Sequence, residues 1–147
     1  MNIDDEVRAL GSIPLLRGVG PAQLRLIAFS GSRLEVPEGE ALFFQGDVPD
    51  AVYVVLDGVA AVEVETPDGP KVVAKIQRDS LVGEMGVLTN EPRSATIRAE
   101  KRLVTLRLDR ELFLGLLDDA PSLSRSVMRD LACRLQETTA QLVRQSA

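Results

Sequence analysis

Two charged side chains nine positions apart give the sequence its clearest chemical signal. In the segment GEMGVLTNEPRSATIRA (residues 83–99), Gly83 and Glu84 come first, and Arg93 and Ser94 open an apolar run. A guanidinium is rarely buried unless it is paired, and its planar fork suits phosphate oxygens. A carboxylate nearby indicates that the ligand also carries a hydroxyl, from which Glu84 would accept a hydrogen bond. The segment therefore predicts a clamp for a sugar phosphate, with an internal Glu84–Arg93 salt bridge as the alternative.

The residues just after the first glycine support the same reading. Gly83 would let the backbone approach a ligand closely, and MGVL (residues 85–88) predicts a short helical turn. The free N–H groups at the start of such a turn favour a negative group. We therefore expect backbone donors to help Arg93 and Ser94 hold a phosphate.

Composition excludes several classes of function. The 147 residues are 45% apolar and 27% charged, which is typical of one globular domain, residues 1–147. The chain has no histidine, so neither a Ser-His-Asp or Cys-His nucleophile nor an imidazole metal site can be assembled. We expect no enzyme, no catalytic residue and no metal; a cupin-like oxygenase would need other metal ligands. The single cysteine, Cys133, forms no internal disulfide.

The distribution of charge and hydropathy along the chain indicates which binding partners and which cellular location to expect. The net charge is −5, with 7 basic and 15 acidic side chains in residues 1–92 and 10 and 7 in the remainder. Such a chain lacks the dense basic patch of a nucleic-acid binder, so we expect no direct DNA binding. The N-terminus MNIDDEVRAL does not resemble a signal peptide, and no apolar run approaches the roughly 20 residues of a membrane span. We therefore expect a cytoplasmic protein without membrane contact.

The hydrophobic pattern divides the chain into three parts. Apolar residues at helical spacing predict short helices within residues 1–30, with Pro21 in a first helical turn. Residues 33–108 consist of short strands separated by turn signals, and AVYVVL, VAAVEVE, ATIRA and LVTLRL are each predicted as a separate strand. Residues 109–147 return to helical spacing, with Asp109 as a cap. The predicted fold is α+β, mainly β: an antiparallel β-roll or jelly-roll barrel with N-terminal helices and a long C-terminal helix.

The last helix, from about Ser122, carries an apolar seam. Its members follow a 3, 4, 3, 4 spacing: Met128, Leu131, Leu135, Thr138 and Leu142. This spacing is typical of a short coiled coil, which predicts a homodimer. The alternative is an amphipathic helix that lies on its own barrel.

The cassette motif resembles a known family. G-E-x-[AG]-x-L followed by P-R-[AST]-A-T is similar to the phosphate-binding cassette of cyclic nucleotide-binding domains. The likeness extends along the chain: VPEGEALFFQGDVPDAVYVVLDGVAAV resembles the barrel signature, and IPLLRGVGPAQLRLIA and LDRELFLGLLDDAP resemble the flanking helices. RLQETT (residues 134–139) resembles a segment of the long helix in the CRP/FNR group. Two positions depart from the pattern: Asp79 replaces a turn glycine, and Val82 replaces a larger residue.

The resemblance implies roles for individual residues. Glu84 would accept from the ribose 2′-hydroxyl, Gly83 and Met85 would line the sugar, and Arg93 and Ser94 would hold the cyclic phosphate. The purine would lie against a strand wall made by Val72, Val73 and Ala74. Thr138 would reach the base, and Thr139 would arrive from the partner subunit.

The resemblance also implies a function. We expect a cyclic nucleotide receptor, with the two threonines favouring cAMP over cGMP, although Ser94 is compatible with guanine. Ligand capture would reposition the long helix through residues 115–122, where Gly115 and Pro121 flank the hinge, and would signal to an unknown effector protein. No helix-turn-helix follows, so we expect a stand-alone sensor or the sensory part of a CRP/FNR-type regulator. The alternative is a nucleotide-free structural or protein-interaction domain with the same fold.

Overall fold

The N-terminal part of the chain is helical, as predicted. The computed structural model describes residues 2–146, with side chains described for residues 2–144. Three helical segments come first: α1 (Ile3–Gly11), a 3-10 helix (Pro14–Leu16) and α2 (Pro21–Ser30). Asn2 caps α1 because its side chain accepts from the N–H of Asp5, and Pro21 occupies the first turn of α2.

Six strands form one antiparallel sheet. The strands are β1 (Ser32–Val36), β2 (Ala41–Phe43), β3 (Ala51–Thr66), β4 (Gly69–Ile76), β5 (Leu81–Val82) and β6 (Thr96–Asp109). Their order is β1-β6-β3-β4, with β2 paired to β6 and β5 paired to β3. Every pair is antiparallel. The expected α+β, mainly β fold with flanking helices is therefore confirmed.

Two predicted strand boundaries were wrong. AVYVVL and VAAVEVE form the single strand β3, and ATIRA and LVTLRL form the single strand β6. The Asp57-Gly58 pair is not a turn between strands; the register of β3 against β6 shifts there, and the chain continues. Gly58 has a φ of 97°, and a Cβ at this position would collide with the backbone of Arg102. Glycine is favoured both in turns and in β-bulges, so the local sequence predicted a turn where the structure has a bulge.

Strand β3 separates two apolar clusters. Alternating side chains of its buried start point to opposite faces: Val52 and Val54 join the cluster beneath the helices, whereas Tyr53 and Val55 join the cluster inside the roll. The helix-side cluster contains the core residues of the N-terminal helices and Phe113, which lies in the first helix after the sheet. Burial on both faces fixes the position of β3, and therefore of β5 beside it.

Two helices follow the sheet, α4 (Arg110–Asp119) and α5 (Pro121–Ser146). The Asp109 carboxylate caps α4 as predicted, accepting from the N–H of Leu112 at 2.9 Å. Leu123 and Val127 near the start of α5 are buried in the helix-side cluster, whereas Leu135 further along is 68% exposed. The start of α5 thus packs on the domain, whereas its later turns present apolar side chains to solvent; the coiled coil predicted for the seam remains a prediction. Among residues 2–146, none of the helices has the length and apolar character needed to cross a membrane.

Candidate functional site

Gly83 shapes the entry to the predicted clamp. It links β5 to a short helix, α3 (Glu84–Thr89), and adopts the left-handed φ of 85° that favours glycine. A Cβ at Gly83 would lie 2.7 Å from Nη1 of Arg93. The missing side chain therefore has two functions: it permits the turn, and it leaves room for the guanidinium.

Arg93 is held from several sides. Its Nη1 donates to the carbonyl of Gly83 at 2.6 Å and its Nη2 to the carbonyl of Ala51 at 2.5 Å. The guanidinium lies over the ring of Phe43, 4.0 Å from the centroid, and Nη2 is 3.8 Å from a carboxylate oxygen of Asp50. Only 2% of the side chain is exposed. These contacts fix the plane of the guanidinium before any ligand arrives.

The guanidinium still has unused hydrogen-bonding capacity. Nε of Arg93 is buried and has no partner among the described residues. Burial lowers the pKa of Arg93, and the nearby phenol and carboxylates oppose this shift. A guanidinium stays protonated in proteins, so the group is a buried cation. A buried donor without an acceptor is destabilising, and an anion at this position would provide the acceptor. The observation favours the phosphate role predicted for Arg93.

Glu84 is the buried acid of the site. It is 1% exposed at the start of α3, and its Oε1 accepts a hydrogen bond of 2.6 Å from Nη1 of Arg134 on α5. Burial raises the pKa of Glu84, the Arg134 guanidinium lowers it, and the carboxylate of Asp130 raises it further. No ion pair joins Glu84 to Arg93 within residues 2–144. The alternative of an internal salt bridge between those two residues is therefore not what the structure contains.

Arg134 connects the long helix to the site. Besides Glu84, it donates from Nη2 to the carbonyl of Leu81 at 2.7 Å, and its Nε lies 3.3 Å from Oδ2 of Asp130. Sequence reasoning quoted Arg134 only as part of the RLQETT resemblance and gave it no role. The missed signal was its spacing: Arg134 precedes Thr138 by four residues, so both lie on one face of α5.

A cavity of about 130 Å³ lies between these groups. Five of the ten predicted ligand residues line it: Gly83, Glu84, Met85, Arg93 and Ser94. The remaining lining is mostly apolar and comes from Phe43, Val62, Ile76, Val82, Gly86, Ala95 and Ile97, with Arg134 beside them. The cavity thus combines a hydrogen-bond acceptor, a buried cation and an apolar wall, a combination typical of small-molecule sites.

The other five predicted residues do not line this cavity. Val72 and Val73 are half exposed on β4 beside the exposed Ala74. Thr138 and Thr139 are exposed on α5, and their hydroxyls donate to the carbonyls of Arg134 and Leu135 in their own helix. The predicted roles of these five residues therefore remain predictions.

The two departures from the family pattern have structural explanations. Asp79 adopts a φ of 70°, the left-handed conformation that a glycine would adopt without strain. Val82 is 1% exposed in the cluster inside the roll, so a smaller residue fills that position without leaving it open to solvent.

Comparison with known proteins agrees with this geometry. The family model "Cyclic nucleotide-binding domain" matches residues 33–120. An uncharacterised NTE family protein of Mycobacterium tuberculosis is 31% identical over 134 residues, which cover 91% of this chain and 22% of that protein. The CRP-like cAMP-activated global transcriptional regulator of the same species is 29% identical over 137 residues, 91% of this chain and 59% of that regulator.

A solved structure gives the same result. The catabolite activator protein of Thermus thermophilus is 30% identical, with a TM-score of 0.78, over 90% of this chain and 63% of that one. The chain thus spans less than two thirds of each of these three relatives. The matched residues 33–120 include the whole cassette and most of the sheet. The chain belongs to the cyclic nucleotide-binding domain family.

Proposed function

We propose that this chain is a cAMP sensor whose ligand occupies the cavity between Glu84 and Arg93. One observation carries the proposal: a buried guanidinium with an unused donor and a buried carboxylate line the same small cavity without pairing to each other. The cyclic phosphate would accept from Arg93 and Ser94, and the ribose 2′-hydroxyl would donate to Glu84. A lone phosphate would satisfy only the first half of this site.

The base would extend from the cavity towards β4 and α5. Side chains alternate along a strand, so Ala74 shares a face of β4 with Ile76, which lines the cavity; the register against β3 shifts between Ala74 and Val72, so this alternation does not extend to Val72. Thr138 lies one helical turn beyond Arg134, on the same face of α5. A purine between these two elements would meet aliphatic side chains on one side and the Thr138 hydroxyl on the other. This placement supports cAMP as the ligand, and the regulator it resembles is named as cAMP-activated.

Ligand binding would change how α5 is held. Arg134 bonds Glu84, the acceptor that the ribose hydroxyl also needs, so a bound nucleotide and Arg134 would have to share that carboxylate. A ligand shifts a conformational equilibrium only through different affinities for the two states, and this shared group supplies such a difference. The helix would respond about the junction at Ala120, between α4 and α5, and would signal to an effector protein.

A second copy of the chain is the proposed partner of the exposed part of α5. Three apolar side chains seven residues apart, Met128, Leu135 and Leu142, are about 60% exposed or more, and they follow the predicted seam. Leu135→Glu should shift the chain to monomer in sedimentation equilibrium, whereas Val48→Glu, at an exposed apolar residue off the helix, should not. Equal oligomeric states of both variants would contradict this interface.

Calorimetry with cAMP, cGMP and 5′-AMP tests the ligand assignment. We expect saturable binding of cAMP, weaker binding of cGMP, and at least tenfold weaker binding of AMP, because its open phosphate cannot take the ring-closed geometry. Hydrogen exchange across residues 115–145 tests the switch, and cAMP should alter it. The absence of binding by all three nucleotides would favour the alternative of a nucleotide-free interaction domain.

A further inference from the structure

A second and larger cavity lies between the N-terminal helices and the sheet. Its volume is about 430 Å³, against about 130 Å³ for the cassette cavity, and the two share no lining residue. Helices α1 and α2 and the segment between them form one side, and strands β1, β3 and β6 with the β4–β5 turn form the other. Cavities that hold small molecules in proteins have volumes in this range.

The floor of this cavity is apolar. Leu10, Ile13 and Leu106 are each more than 90% buried and line it, and the half-buried Leu56 and Ala28 complete the floor. These side chains come from elements that are far apart in the chain, so the surface is formed by the fold. An aliphatic or aromatic group of a ligand would remove this apolar surface from water, which is favourable.

Four charged side chains surround the floor: Glu6, Arg33, Arg78 and Asp79. None of these four side chains makes a hydrogen bond or an ion pair with any of the described residues. Elsewhere on the sheet surface, arginines pair with carboxylates, as Arg102 does with Glu35. Two cations and two carboxylates thus line one cavity without neutralising one another.

Asp79 is present at a position that would suit glycine better. Its φ of 70° is left-handed, and the turn is fixed by hydrogen bonds that join Asp79 N–H to the carbonyl of Val55 and Val55 N–H to the carbonyl of Ser80. Backbone strain of this kind persists where the surrounding structure over-determines it, and it is concentrated at functional sites. The strain at Asp79 therefore indicates a role for its side chain, whose carboxylate lines the cavity.

We propose that this cavity binds a small zwitterion with an apolar body, such as an apolar dipeptide. The body would cover the floor, the carboxylate of the ligand would be shared by Arg33 and Arg78, and its ammonium group would pair with Asp79, beside Glu6. A purely anionic ligand would face two carboxylates of like charge, and a neutral ligand would leave all four side chains unpaired. Only a ligand with both charges complements the rim.

Three matched probes test the charge requirement. Leucyl-phenylalanine is a zwitterion, N-acetyl-leucyl-phenylalanine carries only the anion, and leucyl-phenylalanine amide carries only the cation. In ¹H–¹⁵N NMR titrations of the whole chain, the zwitterion should shift the amides of residues 6–13, 31–33 and 78–79 saturably. Each derivative should bind about twofold to fivefold more weakly, because it loses one ion pair with rim side chains that solvent reaches. No saturable shift with any probe at millimolar concentration, or equal affinity for all three, would overturn the proposal.

Two variants separate a ligand-binding role from a structural one. Asp79→Gly removes the carboxylate and also accepts the left-handed φ, so the thermal midpoint should stay equal or rise while zwitterion binding weakens about twofold to fivefold. Arg78→Gln should also weaken binding, and the controls Asp68→Asn and Arg102→Gln should not. Zwitterion affinity unchanged in Asp79→Gly would refute the proposal. Calorimetric cAMP affinity should be unchanged in these variants, so failure here is distinguishable from failure of the cassette.

Discussion

Replacing Arg93 is the perturbation with the largest effect that the structure predicts on nucleotide affinity. A guanidinium has five N–H donors, and two of those of Arg93 are used by the carbonyls of Gly83 and Ala51. Three donors remain, including the unpartnered Nε, which is enough for a bidentate contact with a phosphate. Two charge-assisted hydrogen bonds of about 1.5–3 kcal/mol each amount to roughly 3–6 kcal/mol, or about a hundredfold to ten-thousandfold in affinity.

Two substitutions at position 93 separate the contribution of the positive charge from that of the planar guanidinium. Arg93→Met removes both phosphate contacts and should lower cAMP affinity by about a hundredfold or more. Arg93→Lys keeps the charge but not the fork, and should lose about tenfold to a hundredfold. Arg102→Met, at an exposed arginine that pairs with Glu35 far from the cassette, should bind cAMP as the wild type does.

Calorimetry provides the affinities, and thermal unfolding provides the necessary folding control. Arg93→Met removes the side-chain donor from the carbonyls of Gly83 and Ala51 but also removes a buried charge, so the two effects on the free energy of unfolding oppose each other. We therefore expect a cooperative unfolding transition in the variant. A folded Arg93→Met protein whose cAMP affinity lies within tenfold of the wild type would refute the phosphate role.

Further predictions concern the acid side of the site. Gly83→Ala should weaken cAMP binding and destabilise the fold by about 1–3 kcal/mol in chemical denaturation, because alanine must adopt a left-handed φ with its Cβ against Arg93; wild-type stability would contradict this. Burial raises the pKa of Glu84 above the ordinary glutamate value of about 4.3. Because protonation removes the acceptor for the ribose hydroxyl, cAMP affinity should fall as the pH drops through that raised pKa. The Glu84→Gln variant should show no such acid limb, and a limb of equal size would refute the assignment. Asp130→Asn removes a carboxylate that raises the pKa of Glu84 and anchors Arg134, so the acid limb should move to lower pH; an unmoved limb would contradict that coupling.

The cassette was predictable from sequence because its residues are close together in the chain. Gly83, Glu84, Arg93 and Ser94 lie within twelve positions, and the turn, the short helix and the strand start that carry them all have local signals. Their convergence on one cavity follows once β5 and β6 flank the same strand, β3. Local spacing thus determined half of the site.

The wall of the cavity could not be predicted in the same way. Val62 lies beside a register shift between β3 and β4, and Phe43 reaches the site through pairing of β2 with β6. These placements depend on long-range pairing and on bulges, which leave only weak local signals. Arg134 is a similar case, because a side chain on α5 meets β5 only after the intervening helix has folded back onto the sheet.

Strand β3 illustrates the same limit in the fold. Its first five residues, AVYVV, are apolar throughout because both faces are covered, one by the helices and one by the inside of the roll. The sequence therefore predicted a strand here correctly. It did not predict that the chain would continue through Gly58, since the local pattern of a bulge glycine matches that of a turn glycine.

A thermodynamic cycle with two ligands tests the central claim most directly. Calorimetry of cAMP and 2′-deoxy-cAMP with the wild type and with Glu84→Ala isolates the contact between this carboxylate and the ribose hydroxyl. Loss of the hydroxyl should weaken binding to the wild type by about tenfold to a hundredfold and have little effect on binding to Glu84→Ala, because the contact is already absent there. If the hydroxyl contributes equally in both proteins, Glu84 does not bind the ribose, and the proposed clamp is wrong.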